Sequence, residues 1–91
     1  MKFRLIRVCK GEAMSAIPQE VVRFDLRASV GRLEQDGYSV DDKDIMLVAK
    51  KDGIEVTAYV NGRLMISPMQ DKERARQISE ATYSTLVVEP E

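Results

Sequence analysis

Two tight turns in the second half of the chain separate short runs of alternating apolar residues: Asp52-Gly53 and Asn61-Gly62. Asp-Gly and Asn-Gly pairs favour hairpins, because both central positions of a type I′ turn need the left-handed backbone region. Residues 45–67 are therefore predicted to form a meander of three antiparallel strands.

The turns also predict the register of these strands. A two-residue loop at Asp52-Gly53 places Lys51 opposite Ile54 and Leu47 opposite Ala58. A three-residue loop that ends at Gly62 keeps the third strand on the same face, since a shift of one residue would turn every side chain over. The predicted core face comprises Ile45, Leu47, Ala49, Ile54, Val56, Ala58, Leu64 and Ile66.

The first half of the chain predicts a strand, a loop and a helix. Lys2 to Cys9 is typical of a strand, with apolar residues on both faces, and Gly11–Ala16 is expected to be a loop. Pro18 suits the first turn of a helix. Apolar residues then recur at helical spacing up to a terminating Gly37. These residues are Val22, Leu26, Val30 and Leu33. Gly31 inside this helix predicts a close contact with the sheet.

A short strand, a polar turn and a second helix complete the prediction. Tyr38–Val40 is the strand, and Asp41 to Asp44 form the turn. After the meander, Asp71 is expected to cap a helix. One apolar stripe of that helix comprises Ala75, Ile78, Thr82 and Leu86. The predicted class is α+β, with an antiparallel sheet, two helices on one of its faces, and the order β-α-β-β-β-β-α.

Composition limits the organisation of the chain. Its 91 residues fit one domain over positions 1–91. The 14 basic and 15 acidic residues nearly balance, so the whole molecule has no general attraction for nucleic acid or an anionic membrane. A single cysteine, Cys9, allows no internal disulfide. With no apolar run of membrane-spanning length and no signal-peptide pattern, we expect a cytoplasmic protein without a membrane contact.

The predicted order of elements resembles one repeat of the TATA-box-binding protein family. The stretch from Asn61-Gly62 to Leu86 is similar to the last hairpin and second helix of that repeat: a turn, an apolar strand, a short polar loop and a capped helix. The chain is also similar to small archaeal proteins of a single-repeat form. The resemblance implies a sheet curved as one half of a saddle.

DNA recognition by that family is not matched residue by residue. Its members insert paired phenylalanines between base steps of the minor groove. The phenylalanines here are Phe3 and Phe24, and both lie outside the meander. The resemblance therefore implies the fold and does not extend to minor-groove binding.

The sequence contains no constellation of catalytic residues. Histidine, the commonest general base and metal ligand, is absent. Cys9 is interpreted as a small, half-buried hydrophobe and not as a nucleophile. The acidic group Asp41, Asp42 and Asp44 is interpreted as a solvated turn, because Lys43 interrupts it. We expect no enzymatic activity, no cofactor and no metal.

The outer face of the meander, opposite the predicted core, is the candidate interaction surface. Its proposed members are Met46, Val48, Thr57, Tyr59, Arg63 and Met65. Apolar groups on an open sheet indicate an interface with another protein, most simply a second copy of this chain. The competing interpretation is that the loop at residues 11–16 or the tail at residues 87–91 covers this face.

Nucleic acid is the alternative partner. A basic edge could be formed by Lys2, Arg4, Arg7, Lys10, Lys50 and Lys51. Among the residues of the outer face, Tyr59 is the aromatic side chain that could stack on a base, so the pattern is a weak indication of nucleic-acid binding.

Overall fold

The computed structural model describes residues 2–8 and 12–89, which form an antiparallel sheet with two helices. Within these residues the strands are β1 (Phe3–Val8), β2 (Ala13–Pro18), β3 (Phe24–Asp25), β4 (Ser39–Asp42), β5 (Met46–Lys51), β6 (Ile54–Tyr59), β7 (Leu64–Ser67) and β8 (Val87–Val88). The helices are α1 (Leu26–Gln35) and α2 (Lys72–Thr85). The α+β class predicted from the sequence is confirmed.

Six strands make one sheet, in the order β1-β2-β7-β6-β5-β4. Every pair of neighbours in it is antiparallel. The short strands β3 and β8 pair with each other in a separate ribbon. The ribbon is tied to α1, because the Ser29 hydroxyl accepts a hydrogen bond of 2.9 Å from the Val87 N–H.

The predicted register of the meander is confirmed. Lys51 lies opposite Ile54, Leu47 opposite Ala58, and Ala58 opposite Leu64. Asp52 and Gly53 have φ angles of 54° and 79°, which are the left-handed values that a type I′ turn needs.

Gly62 is required at the second turn for two reasons. Its φ is 89°, and a Cβ there would lie 2.9 Å from side-chain atoms of Phe24 and Pro18. The Tyr59 carbonyl accepts a hydrogen bond from the Gly62 N–H, which closes the three-residue loop. The turn therefore packs directly under the β2–β3 connection.

Ile45 was wrongly predicted to belong to the core face. It is 73% exposed, because Asp44 and Ile45 form the turn between β4 and β5. The Lys43 N–H donates to the Met46 carbonyl across this turn, and Asp44 has a φ of 70°. The remaining predicted core residues of the meander are buried, except Ile54, which is half-buried.

The first half of the chain differs most from its prediction. Ala13–Pro18 is a strand, where a loop was expected over residues 11–16, and Pro18 ends that strand and does not open a helix. Helix α1 begins at Leu26. Asp25 caps it, because its side chain accepts a hydrogen bond of 3.0 Å from the Ala28 N–H. The predicted order therefore lacked β2, β3 and β8. Cys9 and Gly11 lie outside the described residues.

The ends of the helices agree better with the sequence. Helix α1 stops just before Gly37, where the Tyr38 N–H bonds to the Leu33 carbonyl. Asp71 caps α2 by accepting the N–H groups of Glu73 and Arg74. Gly31, however, makes no close contact: it is exposed, and a Cβ there would meet nothing within 4 Å.

The core lies between one face of the sheet and the helices. Leu47, Val56, Leu64 and Ile66 from the sheet are buried with residues of both helices and the β3 ribbon. Members of this cluster from outside the six-stranded sheet include Phe24, Leu26, Leu33, Ala75, Tyr83 and Leu86. The core thus occupies one side of the sheet, and the other side is formed by the alternate residues of every strand.

Among the described residues, no helix is both long enough and apolar enough to cross a membrane.

Candidate interaction surface

The outer face of the sheet, here called the open face, is defined by the strand register. Directly opposed residues share a face. Starting from Ile6 on β1, successive cross-strand partners are Ser15, Met65, Thr57 and Val48. These residues alternate with the buried core residues along each strand, so they form a row across the side away from the helices.

The structure brings the predicted surface residues together on this face. Val48 lies opposite Thr57, Met46 opposite Tyr59, and Thr57 opposite Met65. All five are half-buried. Arg63 joins them, because the Tyr59 N–H bonds to its carbonyl and its side chain reaches Ser15 on the same face.

Arg63 lies across the open face. Its Nε donates a hydrogen bond of 3.2 Å to the Ser15 hydroxyl, which in turn donates to the Leu64 carbonyl at 2.9 Å. Ser15 is fully buried although it lies on the open face. The aliphatic part and guanidinium of Arg63 therefore lie along the sheet, an arrangement that places a positive charge beside apolar side chains.

Two ion pairs neutralise part of the charge on this face. Lys50 Nζ lies 3.7 Å from Glu55 Oε1, and Lys43 Nζ lies 3.2 Å from Asp41 Oδ2. All four side chains are well exposed, so these pairs contribute little to stability. Arg63 has no carboxylate within salt-bridge distance among the described residues.

The predicted basic edge is not a single cluster. Lys2 and Arg4 lie at β1, whereas Lys50 and Lys51 lie on β5, four strand spacings away. At the ordinary spacing this separation is about 19 Å. Lys51 also faces the core side of the sheet, where its Nζ donates to the Asp36 carbonyl at 2.6 Å.

Of the other two members of that set, Arg7 is also apart from Lys50. Arg7 lies on β1, and its guanidinium donates to the Gln70 carbonyl at 3.2 Å. Lys10 lies outside the described residues. The described residues of the predicted basic edge therefore lie on both sides of the sheet and do not form one cluster.

The sequence pattern did not predict the part of the open face that β1 and β2 form. Ile6 from β1 and Ile17 from β2 extend the apolar surface beyond the meander. Ile6 is 38% exposed. The residues of β2 are small or apolar at successive positions, so the sequence lacks the alternation that would have revealed this strand.

Neither segment proposed as a cover lies over this face within the described residues. Residues 13–16 form part of β2 and are inside the sheet. Val87 and Val88 pair with Asp25 and Phe24 in the ribbon, on the helix side. Residues 11, 90 and 91 are outside the described part of the chain.

The predicted turn at residues 41–44 begins later than expected, because Asp41 and Asp42 are the last residues of β4. These acidic residues are engaged by their own neighbours. Asp42 Oδ1 accepts the Asp44 N–H at 3.0 Å, Asp41 pairs with Lys43, and Asp44 lies 3.9 Å from Arg27. The described residues contain no group of three or more potential ligands arranged to hold a metal ion.

A surface hollow lies at the start of α2. It measures about 560 Å³ and is lined by charges of both signs, Glu12, Asp71 and Arg74. Asp71 is already committed as the helix cap. The residues that line this hollow include none of the predicted surface residues.

Comparisons of the chain with models of known protein families, with curated proteins and with solved structures found no match.

Proposed function

We propose that this chain is a non-catalytic interaction module that binds another protein through the open face of its sheet. The observation that carries the proposal is the asymmetry of the sheet. Both helices and the buried core lie on one side. The opposite side presents half-buried apolar residues that no described element covers.

The chemistry of the face supports a protein partner. Met46, Met65 and Tyr59 belong to residue types that are enriched at interfaces, because they supply large, adaptable apolar contact area. Ile6 and Val48 extend this area towards both edges of the sheet. A contiguous apolar patch on a small domain commonly marks a contact surface.

A second copy of the chain is the first candidate partner. At ordinary strand spacing and rise, the sheet is about 24 Å wide and about 20 Å long. Two such faces in contact would bury about 1,000 Å², slightly less than the roughly 1,200–2,000 Å² of stable specific interfaces. We therefore expect a weak dimer, whose population depends on protein concentration.

We also propose that the fold is related to one repeat of the TATA-box-binding protein family. From β2 onward, the main elements run β2, α1, β4, β5, β6, β7, α2, which supports a single TATA-box-binding-protein-like repeat with β1 added at its edge. Insertion of phenylalanine into a minor groove is not part of the proposal. Phe24 is buried, and the ring centroid of Phe3 lies 5.2 Å from that of Tyr83.

One observation makes nucleic acid the second candidate partner. Arg4 and Arg63 lie on the open face with Tyr59, and neither arginine has a nearby carboxylate among the described residues. Two cations and one aromatic ring are fewer than single-strand binding surfaces generally combine. The apolar area therefore favours protein.

Sedimentation of the pure protein at low and high salt, with and without a random oligonucleotide, separates the two candidates. Apolar association survives or strengthens at high salt. Binding to phosphates weakens, with a log–log slope of about 0.9 per contact on duplex DNA. A protein that stays monomeric and co-sediments with the oligonucleotide only at low salt would contradict the proposal.

A further inference from the structure

The outer edge of β1 has a free row of backbone groups. This strand is the last in the sheet on its side, and in the described residues it pairs with β2 alone. The Gln19 N–H donates to the Lys2 carbonyl at 2.9 Å, so the backbone of the even-numbered residues faces β2. The N–H and C=O groups of Phe3, Leu5 and Arg7 consequently point away from the sheet.

This edge is also basic. Lys2, Arg4 and Arg7 lie within or beside β1, which contains no acidic residue. None of the three has a carboxylate within salt-bridge distance among the described residues. Arg4 lies on the open face and Arg7 on the helix side, so positive charge flanks the free backbone on both sides.

Like charges oppose pairing of this edge with itself. If two copies joined β1 to β1, the arginines of one strand would lie near those of the other, and like charges across strands are destabilising. Charges of this kind protect an exposed edge from aggregation. The same positive charges attract a strand that carries negative charge.

We propose that β1 is a docking edge for an extended acidic peptide segment of a partner protein, which adds to the sheet as a further strand. Main-chain hydrogen bonds to Phe3, Leu5 and Arg7 would hold the segment, as in other cases of strand addition. Arg4 and Arg7 would select carboxylates on the two faces of the added strand. This contact goes beyond association through the open face and uses a different set of atoms.

The test is an NMR titration of the ¹⁵N-labelled protein with a capped synthetic peptide in which pairs of valines alternate with pairs of glutamates, so that carboxylates lie on both faces of the added strand. The amide signals of Phe3, Leu5 and Arg7 should shift, and their hydrogen exchange should slow. Binding should weaken as salt is added. A peptide with lysine in place of glutamate, and one N-methylated at alternate positions, should both fail to bind.

Charge-reversal variants supply the matched control. Arg4→Glu should reduce affinity for the acidic peptide severalfold, because the added carboxylate repels the ligand. Arg32→Glu makes the same change on the exposed surface of α1 and should leave affinity unchanged. Since both positions are exposed, neither variant should unfold the protein.

Several outcomes would overturn the inference. Unchanged Phe3, Leu5 and Arg7 signals at millimolar peptide would do so, as would equal binding of the lysine peptide. Shifts confined to Val48 and Thr57 would place the peptide on the open face, contradicting the edge contact while supporting the proposed function. Shifts of the β1 and β4 amides with protein concentration alone would make a second copy the occupant. A stronger response of the same amides to an oligonucleotide would make nucleic acid the occupant.

Discussion

The Tyr83 hydroxyl donates a hydrogen bond of 2.6 Å to the carbonyl oxygen of Gly62. It joins the last turn of α2 to the turn between β6 and β7, and both residues are buried. The Tyr83 ring also stacks on Phe24, with centroids 6.1 Å apart. This contact fixes the helix over the core side of the sheet.

Replacing Tyr83 with phenylalanine should lower the free energy of unfolding by about 1–3 kcal/mol, because the Gly62 carbonyl is left buried without a donor. Chemical denaturation of the wild type and variant measures this difference. The ring is retained, so a loss well above this range would show that the hydroxyl has a role beyond the hydrogen bond.

Tyr83 also predicts a dependence of stability on pH. Burial raises the pKa of the Tyr83 hydroxyl above its ordinary value. The folded state therefore holds this proton at a pH where the unfolded chain has lost it, and stability falls as pH rises above about 10. The advantage of the wild type over Tyr83→Phe should shrink between about pH 8 and about pH 11. A constant difference would contradict the assignment.

The two faces of the meander can be distinguished by a matched pair of substitutions. Leu47→Ala removes a fully buried side chain and should cost about 2–5 kcal/mol in unfolding free energy. Ile45→Ala changes a side chain that is 73% exposed and should cost far less. Urea denaturation of both variants is the measurement. Equal losses would refute the assignment of the core face.

Gly31 is a site where the fold can be stabilised. It lies inside α1, and a Cβ there would meet nothing within 4 Å. Gly31→Ala should raise the free energy of unfolding by about 0.5–1 kcal/mol, since alanine loses less backbone entropy in a helix. Gly53→Ala is the control: it also has space, but its φ of 79° should make alanine destabilising. Thermal unfolding measures both.

The sequence predicted the parts of the fold that local chemistry determines. Asp52-Gly53 and Asn61-Gly62 specify their turns, and the turns specify the register of β5, β6 and β7. Asp71 likewise marks the start of α2 through its own side chain. In each case the residues that carry the information are adjacent to the structure they produce.

The elements of the fold that were predicted wrongly depend on contacts with residues far along the chain. Strand β2 is held by pairing with β1 and β7, and Met14 and Ala16 are buried against residues far along the chain. Its apolar residues show no alternation, so no local pattern separates it from a loop or helix. Pro18 predicts the start of the first helix, whereas Asp25 supplies the actual cap of α1.

The residues of the candidate surface share one face because their placement depends on the same meander. Once the register was known, Met46, Val48, Thr57, Tyr59 and Met65 had to lie on the face opposite the core. The basic edge did not form one cluster, because its grouping required the order of strands in the sheet, and that order places β1 and β5 far apart.

Sedimentation velocity over a range of protein concentrations tests directly whether the protein associates through the open face. Val48→Asp places a charge in the apolar row of that face, and Met46→Lys is a second variant in case the first is unstable. Val21→Asp makes a matched change at a fully exposed valine in the segment between β2 and β3, away from the sheet.

We predict that the wild type and Val21→Asp show the same rise in apparent mass with concentration, and that Val48→Asp and Met46→Lys remain monomeric. Circular dichroism confirms that each variant is folded. A wild type that stays monomeric at every concentration, or a folded Val48→Asp that associates as the wild type does, would contradict association through this face.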